Sequence, residues 1–391
     1  MRVLHITAGL DPRAGGPVST LEGLASALAN VGLEIEIVAP WRRHVDWSVA
    51  ERLEARGVTV TPVGPVVGPT DWHPALQRVL RQSVPQADVL HIHGLWEEIQ
   101  HRAARLARQH QKPYIIRPHG MLDPWSLQQK ALKKRLYMAL RLRGDLQKAS
   151  AFHVTAERER AMLEPLNLRP PAIVEPLGIH LEDFSDLPAS GTFRQQYEAI
   201  GDRPLITFLG RVHPGKGLEY LIPAMAHVKP SSAVLAVVGP DSENYMAKAR
   251  QLADEHGVSE RVIFTGMQRG PERLAALADA DLFCLPSDHE NFGVVVIEAL
   301  ACGTPVVVSE EVNIHREITE AGVGAVAERR VEPLAETLSQ WLQDKDLRDS
   351  AGERARPFVE AHYNWQTIAE RWCEHYRRLC ESKATEKAVE G

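Results

Sequence analysis

Cysteine is scarce in this chain, four in 391 residues, and none of Cys284, Cys302, Cys373 and Cys380 stands in a CxxC pair. That excludes a disulfide scaffold and the usual zinc-ligand spacings, so the thiols are read as reduced and mostly buried. Cys373 and Cys380, seven apart in a helical pattern, share a face and are assigned to packing. A strong charge of one sign is also missing. Lys and Arg total 45 against 51 Asp and Glu, a net of -6, which removes the basic field that nucleic acid backbones demand and excludes nucleic acid as a partner. Long hydrophobic runs are missing as well. The most apolar stretch, VVVIEALACGTPVVV, is interrupted by Glu298, Gly303 and Pro305 and is too short to span a bilayer. The N-terminal MRVLHITAGLDPRAGG lacks the charged and apolar blocks of a secretory leader and reads as a first strand. The expectation is a soluble cytoplasmic protein, at most peripheral on the inner face of the membrane.

What is present is a repeated alternation of short apolar runs with helical patterns, the signature of βα units and parallel sheets. At 391 residues the chain suits two such domains. The first series runs through VLHIT, LEIEIVAP, VTVTPV, DVLHIH, PYIIRPHG and AFHVT. A connection at about Gly178 to Pro204, with a short helical FRQQYEAI, leads to LITFLG, AVLAVVG, VIFTG, DLFCLPS and PVVVS. NWQTIAERWCEHYRRLCESK reads as a long amphipathic helix and KATEKAVEG as a fraying tail. The expected domains are 1–185, 186–362, and 363–391 as a helix returning to the first domain. Two parallel sheets in tandem are expected to face each other across a cleft, with ligands at the strand-to-helix loops.

The densest chemistry lies in PSDHENFGVVVIEALACGTPVVVSE, Pro286 to Glu310. A strand delivers a polar loop, and a helix is predicted to start near Phe292 and Gly293, where unpaired N–H groups make an anion site suited to diphosphate. Glu290 and Glu298, with seven residues between them, can approach one ligand from different depths, and a carboxylate accepts well from vicinal hydroxyls. Taken alone, the pair is better read as dipole complementation by Glu290 and a solvated Glu298; the FG, the small-residue ALACGTP stretch and the strand context favour the ligand reading. Upstream, GRVHPGKG follows the strand LITFLG, so Arg211 and Lys216 can bring two cations to one phosphate pair. The same run fits a P-loop, GxxxxGK, except that Gly217 replaces the Ser or Thr that would hold magnesium.

With Glu290, Phe292, Gly293, Glu298, Ala299, Ala301, Gly303, Pro305 and Val306 in place, the chain resembles glycosyltransferase family 4, retaining enzymes of the GT-B fold. The likeness extends to the Gly15-Gly16 loop, His119-Gly120, GRVHPGKG, the FTG at 264–266 and the tryptophan-led last helix. It implies an α/β architecture of two Rossmann-like doubly wound domains. The first would bind the acceptor and the second the nucleotide sugar, a UDP- or GDP-sugar, with no cofactor and no metal. Glu298 would hold the ribose hydroxyls, Glu290 would contact the donor sugar, and backbone N–H groups from Asn291, Phe292, Gly293 and Val294 would face the sugar and diphosphate. His119 would lie by the donor sugar as a catalytic residue. Without the resemblance a structural histidine remains the lesser alternative for His119, and a bare glycine turn at a helix start is the usual reading of Gly16. The implied reaction is retaining hexosyl transfer to a glycan or lipid-linked acceptor in surface polysaccharide assembly. A nucleotide hydrolase built on GRVHPGKG and a non-catalytic sugar-nucleotide binding module are the competing readings.

Four other segments stand outside that site. His91 and His93 alternate along a strand and are expected on opposite faces, unable to chelate one metal. Asp279-Ala280-Asp281 imitates a metal-binding DxD but falls where a helix gives way to a strand, and reads as a helix end. KALKKRLYMALRLRGDLQK, 130–148, mixes Lys and Arg with leucines as an interfacial helix does, but reads slightly better as a solvated basic face packed through its leucines. PLGIHLEDF departs from the family's Asn-Gly-Val-Asp pattern at Leu177 and His180.

Overall fold

The computed structural model describes residues 1–68 and 71–390. The chain divides into two compact units, Met1–Gly178 joined by the segment from Trp365 onward, and Ile179–Asn364. In the first unit the strands are β1 (Arg2–Ile6), β2 (Glu34–Pro40), β3 (Thr59–Val63), β4 (Val89–His93), β5 (Tyr114–Arg117), β6 (Ala151–Val154) and β7 (Ala172–Val174). They form one parallel sheet in the order β3-β2-β1-β4-β5-β6-β7. Its core gathers Leu4, Ile6, Leu90, Ile92, Ile116, Phe152 and helix residues such as Leu80 and Ile99. The second unit holds β8 (Leu205–Leu209), β9 (Val234–Val238), β10 (Val262–Gly266), β11 (Leu282–Leu285), β12 (Val306–Ser309) and β13 (Gly324–Ala327). Its order is β10-β9-β8-β11-β12-β13, again parallel. A parallel sheet is covered on both faces, which is why β9 reads VLAVV with every residue buried.

Both sheets reverse winding direction beside their first strand, between β1 and β4 and between β8 and β11. Such a switch point opens a crevice at the carboxyl ends of the two strands. In the second unit the loops leaving β8 and β11 are those of GRVHPGKG and PSDHENFG, so topology alone brings the two candidate segments together.

The strands β7 and β13 are absent from the sequence reading. Both are short edge strands, and AIV and GAVA carry too little alternation to register. The last helix runs Trp365–Glu390, through most of the tail read as fraying, and Gly391 lies outside the described residues. Trp372 and Tyr376 of that helix are fully buried in the first unit.

The expected opposite orientation of His91 and His93 is wrong. Residues two apart on a strand share a face, and their rings lie near-parallel with centroids 4.6 Å apart. The leucines of 130–148 also depart from the packed reading. Leu132, Leu136 and Leu140 are 83%, 62% and 74% exposed, while only Leu142 and Leu146 turn into the core.

Candidate functional site

The second unit's candidate site is assembled by close backbone approach. Gly217 caps the helix Leu218–Ala224 at φ 80, and a Cβ there would lie 2.0 Å from the carbonyl oxygen of Pro286. Only glycine fits, so the GRVHPGKG turn lies directly on the loop after β11. Asp288 N–H donates to Gly215 O at 2.9 Å and locks the two loops. Gly293, at φ 81, then caps the helix Val294–Ala301, one residue beyond the predicted start.

Glu290 is held by its backbone before its side chain is used. Its N–H donates to Glu311 O and its carbonyl accepts from Asn313 N, both at 3.1 Å. The carboxylate accepts from Lys216 Nζ, so the two residues that the sequence assigns to sugar and phosphate form one ion pair, both part-buried. Glu298, at the start of the helix's second turn, accepts from Arg273 Nη1 at 2.5 Å. Burial opposes charge on Arg273, but Glu298 more than offsets it and raises the guanidinium pKa. Arg273 was not legible in the sequence, because ERLAALADA reads as an ordinary amphipathic helix and only the fold brings its face to Glu298. Burial, and then the Glu298 charge, push the nearby Cys302 thiol up to about 12, so it stays protonated. Phe292 is buried, packing edge-on against Tyr363 at 5.8 Å. Arg211 stands apart: it is exposed and makes no ion pair among the described residues.

The DxD imitation is structural. Asp279 ends the helix Gly270–Ala278 and accepts from Gly191 N and Phe193 N at 2.7 Å, while Asp281 accepts from Leu205 N at 2.8 Å.

In the first unit, Gly16 begins the helix Gly16–Asn30 on the exposed loop after β1, with Gly15 as cap at φ 73. His119 follows β5 at φ 53, a left-handed conformation uncommon for a non-glycine residue and of a kind that gathers at functional sites. Glu159 holds the segment in place, accepting from Thr155 N at 2.7 Å and from Gly120 N at 3.3 Å. Behind His119 lies a layer the sequence did not reveal. His5, His91, His93, Arg117 and His153 lie within a buried patch of the sheet, and Trp372 and Tyr376 pack against it. Burial first, then neighbouring charges including Arg117, hold all five histidines, His119 among them, below their ordinary pKa, His5 at about 3. Ligand atoms of His5, His91 and His93 come within 4.8 Å of one another. Both nitrogens of His91 are already engaged, Nδ1 by Tyr376 Oη at 2.8 Å and Nε2 by His153 at 3.2 Å, while His5 bonds His93, so the trio is divided between two hydrogen-bond chains and is not a ready chelate.

Comparison with known proteins accounts for both units. The glycosyl transferase 4-like domain model matches residues 15–178, and the glycosyl transferases group 1 model matches 190–358. The chain belongs to the family 4 glycosyltransferases. Among relatives of this glycosyltransferase, a GDP-mannose-dependent alpha-(1-6)-phosphatidylinositol monomannoside mannosyltransferase of Mycobacterium tuberculosis is 29% identical over 212 residues, 52% of this chain and 54% of that one. The chain thus spans about half the length of the first curated relatives it matches. An uncharacterized glycosyltransferase of Methanocaldococcus jannaschii is 26% identical over 96% of this chain and 98% of its own. Among solved structures, Anabaena HepE in complex with UDP-glucose superposes with a TM-score of 0.77 at 19% identity, covering 97% of this chain and 100% of that one, a likeness of fold. The family assignment sets aside the hydrolase reading of GRVHPGKG. Among the described residues, no helix of this glycosyltransferase is long and apolar enough to cross a membrane.

Proposed function

We propose that the protein transfers a hexose, with retention and without a metal, from a UDP- or GDP-sugar to a glycan or lipid-linked acceptor. The observation that carries this reading is the coupled pair Lys216–Glu290 and Arg273–Glu298, on either side of the Gly293 helix start. Each carboxylate is fixed by a cation and keeps lone pairs for sugar hydroxyls. Glu298 takes the ribose and Glu290 the donor hexose. The diphosphate meets the N–H groups of Asn291 to Val294, with Lys216 shared between Glu290 and phosphate and the exposed Arg211 as a second cation. These charges stabilise the departing diphosphate, and the acceptor hydroxyl attacks from the face that the diphosphate leaves. His119 and Gly16 keep the roles the family resemblance implies, His119 catalytic and Gly16 donor-binding. The GDP-mannose dependence of one relative and the UDP-glucose bound by a protein of similar fold support a nucleoside diphosphate sugar as donor.

The same reading gives the exposed Leu132, Leu136 and Leu140 a role. Spaced four apart among Lys130, Lys133, Lys134 and Arg135, they form an apolar stripe with a cationic border, suited to an anionic bilayer that carries a lipid-linked acceptor. Surface polysaccharide assembly is the setting that such an acceptor implies.

Calorimetric titration with UDP, GDP, ADP and their common sugars tests the donor assignment, and transfer assayed with excess EDTA tests the metal. One uridine or guanosine diphosphate sugar should bind well above the rest and turn over undiminished by chelator. Equal, weak binding of all, or loss of turnover with EDTA, contradicts the proposal.

A further inference from the structure

The buried histidines of the first unit form two separate hydrogen-bond chains with opposite polarity. One runs from Tyr376 Oη to His91 Nδ1 at 2.8 Å, from His91 Nε2 to His153 Nδ1 at 3.2 Å, and from His153 Nε2 to the Glu175 carbonyl at 3.0 Å. Its protons are fixed by chemistry. A carbonyl only accepts, so His153 carries its proton on Nε2 and accepts on Nδ1; His91 therefore also carries Nε2–H, and the Tyr376 hydroxyl donates into it. The other chain joins His5 Nδ1 to His93 Nε2 at 3.0 Å, and His93 Nδ1 to His119 Nε2 at 3.4 Å. It starts at a blind end, His5 Nε2, which is buried and has no partner among the described residues, and finishes at half-buried His119.

Two proton registers satisfy the second chain. In one, His5 Nε2 is a bare lone pair and every ring donates from Nδ1 toward His119. In the other, every ring donates from Nε2 toward His5, and an N–H is buried at the blind end without an acceptor. Orphaned buried N–H groups are rarer than unfilled acceptors. Arg117 also decides against the second register. It is 1% exposed, its field reaches His5, His93 and His119, and its own Nε and Nη1 donors have no partner among the described residues. A cation rich in idle donors favours a lone pair nearby and disfavours another N–H.

We propose that His93, backed by His5, is a positioning residue that holds His119 as a neutral imidazole in the Nδ1–H tautomer, presenting a hydrogen-bond donor and not a base to an oxygen of the substrate. The tautomer follows from the first unit alone; its use on a substrate rests on the assignment of His119 to the site.

Nitrogen-15 NMR of the full chain labelled at histidine, with rings assigned through single variants, reads the tautomers directly. His5, His93 and His119 should show protonated Nδ1 and bare Nε2, and His91 and His153 the reverse. Protonated Nε2 on His119 would overturn the proposal. Kinetics add a second readout. In H93N the amide N–H replaces the Nδ1–H donor, in H93D the carboxylate can only accept, and H93A does neither. H93A should lower kcat on the order of 10- to 100-fold with donor KM little changed, the scale that outer partners of a functional imidazole carry. H93N should recover much of that loss, and H93D should recover none while moving the His119 proton to Nε2. Equal kcat in H93N and H93A, with nucleotide affinity intact in both, would overturn it. Full turnover by H119A, with the tautomers as assigned, would instead sink the placement of His119 in the site.

Discussion

Glu290 and Glu298 carry the functional reading, and each is tied to a different cation. The spacing of the glutamates was legible in the sequence because glycine, helix start and strand surround them in one continuous stretch. Arg273 was not, since it lies 25 positions before Glu298 and its helix has no feature that sets it apart. His91 and His93 were visible but misplaced by a misapplied strand period, which hid the buried histidine layer. If Glu298 accepts from the ribose, the unmodified protein should prefer UDP or GDP over the 2′,3′-dideoxy analogue by about 1–3 kcal/mol, the cost of leaving a charged acceptor unfilled. E298A should lose that preference while still binding the diphosphate. Calorimetry on the four combinations checks it, and a preference that survives in E298A would remove Glu298 from the ribose.

At the scale of elements, the parallel strands were readable because a doubly covered sheet demands continuous apolar runs, whereas the edge strands β7 and β13 are too short for such runs to show. The exposed leucine stripe was ambiguous in the sequence, since leucines spaced for one helix face serve a core or a membrane equally well. Replacing Leu132, Leu136 and Leu140 together with glutamate removes no buried contact. It should change thermal stability little, within about 0.5 kcal/mol per site, and abolish sedimentation with anionic vesicles. Retained sedimentation would place membrane contact elsewhere. The histidine layer between the first sheet and the last helix makes a separate prediction. Its rings stay neutral when folded but titrate near 6.5 when unfolded. Between those values the unfolded chain binds more protons, so stability is whole above about pH 6.5 and falls as pH drops, by up to about 1.4 kcal/mol per pH unit for each ring. The melting temperature should decline steeply from pH 7 to pH 5. An unchanged melt over that range would show the rings already charged in the folded state.

For the molecule as a whole, the division into two doubly wound units was legible in length and in the repeated βα alternation. The division itself falls at Gly178 and Ile179 and again at Asn364 and Trp365, whereas the sequence reading drew it at 185 and 362. The first joint falls where the connection read from Gly178 begins and the second where the last helix begins, and which sheet each segment packs against sets the division. Topology explains why the candidate residues of the second unit cluster: β8 and β11 are neighbours at its switch point, and their loops carry Lys216 and Glu290. The central claim is that this cluster holds a nucleotide sugar for transfer. Parallel measurement of donor affinity and sugar transfer in E290A and the unmodified protein tests it most directly. Turnover should fall on the order of 100-fold or more while nucleoside diphosphate affinity stays within a few-fold; near-normal turnover by folded E290A would contradict the account.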